Sequence, residues 1–68
     1  MKLSARNILK GQVTQVKKGA VAAQISVDIG AGNVITSTIT VDAAEELGLA
    51  EGKEVSVIIK ASEVILGA

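Results

Sequence analysis

From Val21 to Ile29 the chain keeps a period of two: Val21, Ala23, Ile25, Val27 and Ile29 alternate with Ala22, Gln24, Ser26 and Asp28. That spacing is the pattern of a strand with one buried face. Gly30-Ala31-Gly32-Asn33 then reads as a hairpin loop, and Val34 to Thr40 is a β-branched run suited to return antiparallel to it. A long hairpin is therefore the body of the fold, and the other segments must pack against it.

Upstream, the apolar residues Ile8, Leu9, Val13 and Val16 do not alternate strictly and Gly11 interrupts them. This predicts a first strand over Asn7 to Val16 that is bent or bulged at Gly11. Lys17-Lys18-Gly19 reads as a turn with Gly19 free to take positive φ. Downstream, Asp42-Ala43-Ala44-Glu45 has the spacing of a capping box, with Asp42 at the N-cap, and Gly48 is placed to end a helix of one to two turns. The loop Leu49 to Lys53 leads to a fourth strand in which Val55, Val57 and Ile59 share a face opposite Ser56, Ile58 and Lys60, and a last short strand is predicted over Ser62 to Leu66. Five short strands with one short helix between the third and fourth predict an all-β fold, a small five-stranded Greek-key barrel of the OB type.

The 68 residues make one domain, 1–68. Domains of this length bury only about 60% of the surface their unfolded chain exposes, so an isolated monomer should be marginal. The sequence has no cysteine and no histidine, which removes disulfides and leaves only carboxylates for a metal. Oligomerisation remains as the staple. Apolar residues are 49% of the chain without one Phe, Trp or Tyr, so the core is built from small and branched aliphatics, and subunits are expected to pool their cores. No charge-free apolar run approaches the roughly 18 residues that span a bilayer, and the start Met-Lys-Leu-Ser has no apolar h-region, so the expected location is the cytoplasm, with no membrane contact.

Charge is balanced overall but not along the chain. Lys2, Arg6, Lys10, Lys17 and Lys18 give the first eighteen residues five positive charges and no acid; the remainder sets Lys53 and Lys60 against seven carboxylates. The asymmetry fits an anionic partner for the N-terminal part, or pairing between a basic segment and an acidic neighbour subunit.

Ser4-Ala5-Arg6-Asn7 puts a hydroxyl, the only arginine and an amide within four residues. Arg6 offers a planar, permanently charged fork of donors, Ser4 and Asn7 add neutral groups, and backbone N–H groups can line a concavity beside them. A tetrahedral oxyanion is the natural ligand. Taken alone, Arg6 reads more readily as half of a surface ion pair and Ser4 as a turn cap. The N–H groups of Ala43 and Ala44, near a helix start, and the Thr40 hydroxyl just before them could join the site. Lys60 would be the second cation, although by itself it reads as a solvated strand-end lysine. Together Arg6 and Lys60 would balance a dianion.

The run Met-Lys-Leu-Ser-Ala-Arg-Asn with Lys10-Gly11, the Thr40-Val41-Asp42 entry into Glu45-Glu46-Leu47-Gly48, the Glu51-Gly52-Lys53 turn and Ile59-Lys60-Ala61-Ser62 closely resemble the molbindins (Mop), small cytoplasmic proteins that bind molybdate or tungstate. They also resemble the related TOBE domains attached to molybdate-responsive regulators and transporter ATPases. The resemblance runs from end to end. It implies an oxyanion site made of Ser4, the Ala5 backbone, Arg6, Lys60 and Ala61 from one side of a subunit interface, with Thr40 and Ala43 from the other. Relatives often carry serine at position 43, so here a hydroxyl contact is missing and the Ala43 N–H is left to serve. The resemblance also implies a homohexamer of strand-exchanged dimers, molybdate or tungstate as ligand with no cofactor, a storage or buffering role, and a second oxyanion site near the symmetry axis. The turn Lys17-Lys18-Gly19-Ala20 is the candidate for that second site, through Lys18, Gly19 and Ala20.

Two rival functions compete with this one. Single-stranded nucleic acid suits small OB barrels, but aromatic platforms contribute about 1–3 kcal/mol per base and this chain has no aromatic residue and zero net charge. A purely structural oligomerisation module explains the core and the charge asymmetry but not the joint presence of Arg6, Thr40 and Lys60. Enzymatic acid–base work would fall to carboxylates alone, and no pair of them sits in an apolar setting, so the sequence describes a binding protein rather than an enzyme.

Overall fold

The computed structural model describes residues 2–68. Among them, four strands, one α-helix and one 3-10 turn follow in order: β1 (Asn7–Lys18), β2 (Ala22–Gly30), β3 (Asn33–Thr40), α1 (Val41–Glu46), β4 (Glu54–Ile59) and the turn Ala61–Glu63. The strands form one antiparallel sheet in the order β3-β2-β1-β4. Three strands joined by hairpins, with the fourth returning beside the first, make the expected Greek-key order. The expected barrel does not close within the chain, because β3 and β4 remain the two edges of the sheet.

β1 changes partner along its length. Asn7 to Gln12 pair with β4, from Asn7↔Ile59 to Gln12↔Glu54, and Gln12 to Lys18 pair with β2, from Gln12↔Asp28 to Lys18↔Ala23. Gly11 sits at the changeover. A Cβ on it would lie 2.5 Å from Val27 Cγ1 and 2.8 Å from the Asp28 carbonyl oxygen, so a residue without a side chain is what lets β2 lie this close. The bulge itself falls later than expected: the register slips between Val13 and Gln15, and Thr14, the extra residue, donates its hydroxyl to the Ser26 carbonyl at 3.3 Å. β1 also runs on to Lys18, two residues past its expected end.

The alternation in β2 does what its period requires. Ala23, Ile25 and Val27 are buried, and with Val13 and Ala44 they form the core, which Val16, Ile29, Ile39, Val41, Leu49, Val55 and Val57 surround half-buried. The β2–β3 connection is tighter than a four-residue loop, since Gly30 and Asn33 already pair and only Ala31 and Gly32 lie between the strands. Both have positive φ (52° and 77°), as the mirror-image turns favoured in hairpins demand. In the β1–β2 turn, Gly19 donates its N–H to the Ala22 carbonyl at 2.8 Å and is not among the positive-φ glycines, so the conformational freedom expected there is not used.

α1 starts two residues earlier than the capping-box reading. Its N-cap is Thr40, not Asp42, and Thr40 Oγ1 accepts the Ala43 N–H at 3.0 Å. The reason is tertiary: the Val41 N–H donates to the Val21 carbonyl at 2.7 Å, so the last residue of β3 is already held where a cap must be. The C-terminus ends as Gly48 predicts. With φ of 63° it lets its N–H reach the Glu45 carbonyl and the Leu49 N–H reach the Ala44 carbonyl, both at 3.0 Å, the paired bonds of a Schellman motif.

Among the described residues the strand expected over Ser62 to Leu66 is not formed. Ala61 to Glu63 form a 3-10 turn and the residues after it belong to no strand, with Ile65 94% and Leu66 89% exposed. Val64 keeps an extended backbone (φ −88°, ψ 121°), but the residues after the turn pair with neither edge of the sheet, β3 or β4. An apolar groove of about 180 Å³ opens on the inner face, its walls running from Ile35 and Ile39 of β3 to Val55 and Val57 of β4. The chain exposes 5229 Å², against about 4,000 Å² for a folded monomer of its 6.9 kDa mass. Its radius of gyration is 12.5 Å, where a compact domain of this length has about 11 Å.

Candidate functional site

The pairing of β1 with β4 decides where the N-terminal residues go. Its terminal pair is Asn7↔Ile59, and the Asn7 Nδ2 group donates to the Ile59 carbonyl at 3.2 Å across it. Arg6 precedes Asn7 and Lys60 follows Ile59, so the two cations flank the end of the ladder, with strand spacing of about 5 Å between the backbones there. Ser4 and Ala5 on one strand end and Ala61 on the other complete the group. Ser4, Arg6, Lys60 and Ala61 are exposed, while Ala5 is half-buried. Among the described residues the ion pair is Lys18 Nζ to Glu45 Oε1 at 3.9 Å; Arg6 and Lys60 have no carboxylate partner there. Asn7 has turned a donor toward the protein rather than toward a ligand, a role its place in the motif did not reveal.

Thr40 and Ala43 lie elsewhere. Thr40 pairs with Ala22, next to the Lys18↔Ala23 pair that ends the β1–β2 ladder. β1 thus separates the two groups along its length, in a molecule whose longest extent is 34 Å. No single copy of the chain brings Arg6 and Lys60 to Thr40. The Ala43 N–H expected to face a ligand is donated to Thr40 instead, and the hydroxyl, having accepted it, keeps its own proton to donate outward.

The second expected group, Lys18, Gly19 and Ala20, borders a shallow cleft of about 470 Å³ whose walls include Lys17, Lys18, Gly19, Gln24 and Thr38 but not Ala20. Lys17, Gln24 and Thr38 form one cross-strand row, and sequence order alone did not bring the last two into view. Lys18 is drawn toward Glu45, both side chains being about half exposed, which makes this weak as an ion pair. A further concavity of about 710 Å³ is lined by Lys10, Gln12, Asp28, Glu54 and Ser56 among others and contains none of the expected residues. Two carboxylates against one lysine give it the wrong charge for an anion.

Among the described residues, no group of three or more His, Cys, Asp or Glu could hold a metal ion directly, and no helix is long and apolar enough to cross a membrane.

The family model of the TOBE domain matches residues 3–66. The chain is 51% identical over 67 residues to a probable molybdenum-pterin-binding protein of Haemophilus influenzae, covering 98% of this chain and 97% of that protein. It is 47% identical over 66 residues to molybdenum-pterin-binding protein 1 of Clostridium pasteurianum, covering 97% of each. Among solved structures it superposes on a molybdate-binding protein from Sporomusa ovata with a TM-score of 0.93 at 35% identity, over the whole of both chains. On the cytoplasmic molybdate-binding protein ModG, crystallised with molybdate bound, the TM-score is 0.94 at 49% identity over 98% of this chain and 48% of that one. With this identity across nearly the full length of its relatives, and the Greek-key sheet shared with them, the chain belongs to the TOBE-domain family and, within it, to the molybdenum-pterin-binding (Mop) proteins.

Proposed function

We propose that this protein binds molybdate or tungstate at the interfaces of a homo-oligomer and serves as a cytoplasmic store of the oxyanion rather than as an enzyme. One subunit supplies Ser4, the Ala5 backbone, Arg6, Lys60 and Ala61, and a neighbour supplies Thr40, with Ala43 as the wall beside it. The observation that carries the reading is the pair of cations one residue beyond the last β1–β4 pair, one on each chain segment, without a carboxylate partner among the described residues. Two positive groups brought together and left uncompensated suit a dianion. The relatives described as molybdate-binding proteins support the ligand class.

Three features support the assembly. The two groups of site residues lie at opposite ends of β1, so a complete site needs two copies. The chain exposes roughly 1,200 Å² more than a folded monomer of its size, an area on the scale of a specific interface. The apolar tail Val64-Ile65-Leu66 and the open groove between β3 and β4 are what an exchanged strand would match. A hexamer of strand-exchanged dimers is the assembly we favour, with the Lys18-Gly19-Ala20 turn as its second oxyanion site.

Selectivity follows from the donors. None of the proposed contacts is a carboxylate, so hydrogen phosphate would set its own proton against a donor, at a cost of about 1–3 kcal/mol. Sulfate shares charge and shape with molybdate and can be discriminated only by cavity size. Native mass spectrometry with and without molybdate tests the assembly and the stoichiometry together. Calorimetry on Arg6→Lys tests the site: affinity should fall more than tenfold although charge is kept, because an ammonium cannot reproduce the guanidinium fork. An unchanged isotherm in a folded Arg6→Lys oligomer means the oxyanion binds elsewhere.

A further inference from the structure

We infer that Asn7 is a positioning residue for the oxyanion: its side-chain amide holds together the two strand ends that carry Arg6 and Lys60. The inference rests on the reading of those two residues as the cations of the site.

Asn7 is the first residue of β1, half-buried, and paired with Ile59, the last residue of β4. Beyond that pair the ladder stops: residues 2–6 belong to no strand, and Lys60 leads into the 3-10 turn. The point where backbone pairing ends is also where Arg6 and Lys60 follow on the two chain segments, two like charges with no carboxylate partner among the described residues. Like charges on opposed strands push the strands apart. A splayed end would leave Arg6 and Lys60 too far apart to share one tetrahedral ion. The bond from Asn7 Nδ2 to the Ile59 carbonyl, 3.2 Å long, adds a side-chain fastening at the last backbone pair of the ladder.

The amide suits this task by its chemistry. It is a neutral donor facing a carbonyl, so it fastens the strands without adding charge to the site. A carboxylate of the same shape would turn an acceptor toward that carbonyl and, being anionic, would compete with the ligand for Arg6 and Lys60. A methyl group would leave the end unfastened. Preorganising two cations before the ligand arrives lowers the ordering cost of binding, which otherwise falls on the ligand's own contacts.

Molybdate titration by calorimetry on the intact oligomers of the wild type, Asn7→Ala, Asn7→Gln and Asn7→Asp, combined with amide hydrogen exchange, tests this. Asn7→Ala should weaken molybdate binding at least fivefold and Asn7→Asp more than twentyfold, whereas Asn7→Gln, which keeps the donor, should stay within threefold of wild type. In ligand-free Asn7→Ala, amides near the ladder end, at Ile8 and Ala61, should exchange faster while those of Val13, Ala23 and Ile25 do not change, and saturating molybdate should restore the protection. Equal affinity in wild type and Asn7→Ala overturns the inference alone, as does a loss of protection spread evenly over the core, which would mark Asn7 as a merely structural staple. If Asn7→Ala does not fold, Asn7→Asp, which keeps the shape, takes its place: wild-type affinity in that variant overturns the inference. A wild type that takes up no molybdate overturns the proposed function and this inference with it.

Discussion

The two ends of β1 live in different surroundings. From Val13 to Lys18 it is paired with β2, itself backed by β3, and this end holds Val13, Ala23, Ile25, Val27 and Ala44, the buried core of the described chain. From Asn7 to Gly11 it is paired with β4 alone, and nothing there is fully buried: Ile8 is 51% exposed and Ile58, opposite it, 41%. The first end is closed by its own residues, down to the helix that Thr40 caps. The second ends in two cations without a carboxylate partner among the described residues and in an apolar tail. The chain thus finishes the half that can pack against itself and leaves open the half that, on the proposed reading, a neighbour and an anion complete.

The largest effect should come from the closed half. Ile25→Ala removes a side chain that is 2% exposed and should cost about 2–5 kcal/mol, enough to unfold so small a domain, as thermal unfolding at fixed protein concentration would read. A smaller loss than that of an exposed-tail variant would break the comparison. Next comes the open half: replacing Ile65 and Leu66 by serine should leave the fold of a subunit intact but remove about 1.5–3 kcal/mol of assembly per side chain. Sedimentation would show dissociation at concentrations where the wild type remains assembled. An assembly unaffected by the double change would mean that the tail is simply solvated.

The boundary between the halves is sharpened by Thr40→Val. Loss of the cap should cost about 0.5–2 kcal/mol, and the same variant should lose molybdate affinity, because the hydroxyl that accepts from Ala43 is also the proposed donor. Thr40→Ser should restore both in parallel melting and binding measurements. The smallest effect belongs to the surface pair. Glu45→Gln, which removes the partner of Lys18 at 3.9 Å, should change stability by less than about 0.5 kcal/mol, and a larger shift in the melting temperature would show that this contact is tied into an interface.

The open half is also where reading along the chain failed. Val64-Ile65-Leu66 has the composition of a strand, and Val64 an extended backbone, but a strand exists only where an edge accepts it, and no stretch of sequence announces which edge is in reach. The cap failed for a related reason: Asp42-Ala43-Ala44-Glu45 is a sound capping box in isolation, and it lost to Thr40 because the Val21 carbonyl takes the Val41 N–H. At the site, the residue types in Ser4-Ala5-Arg6-Asn7 and at Lys60 were visible. That the first group lies beside the second, and that Thr40 lies a strand length away from both, was not.

What the amino-acid order determined unaided is local: the period of two through Val21 to Ile29 settles which face of β2 is buried, the glycine at position 48 settles where α1 stops, and the chemistry of Arg6 and Lys60 gives the proposed ligand its sign. Each follows from forces acting within a few residues. What only the tertiary structure decided is the exchange of partners at Gly11, the start of α1, the loss of a fifth strand and the separation of the site residues. These depend on which backbone groups remain unpaired once the hairpin has formed, a sum over the whole chain that no single segment contains.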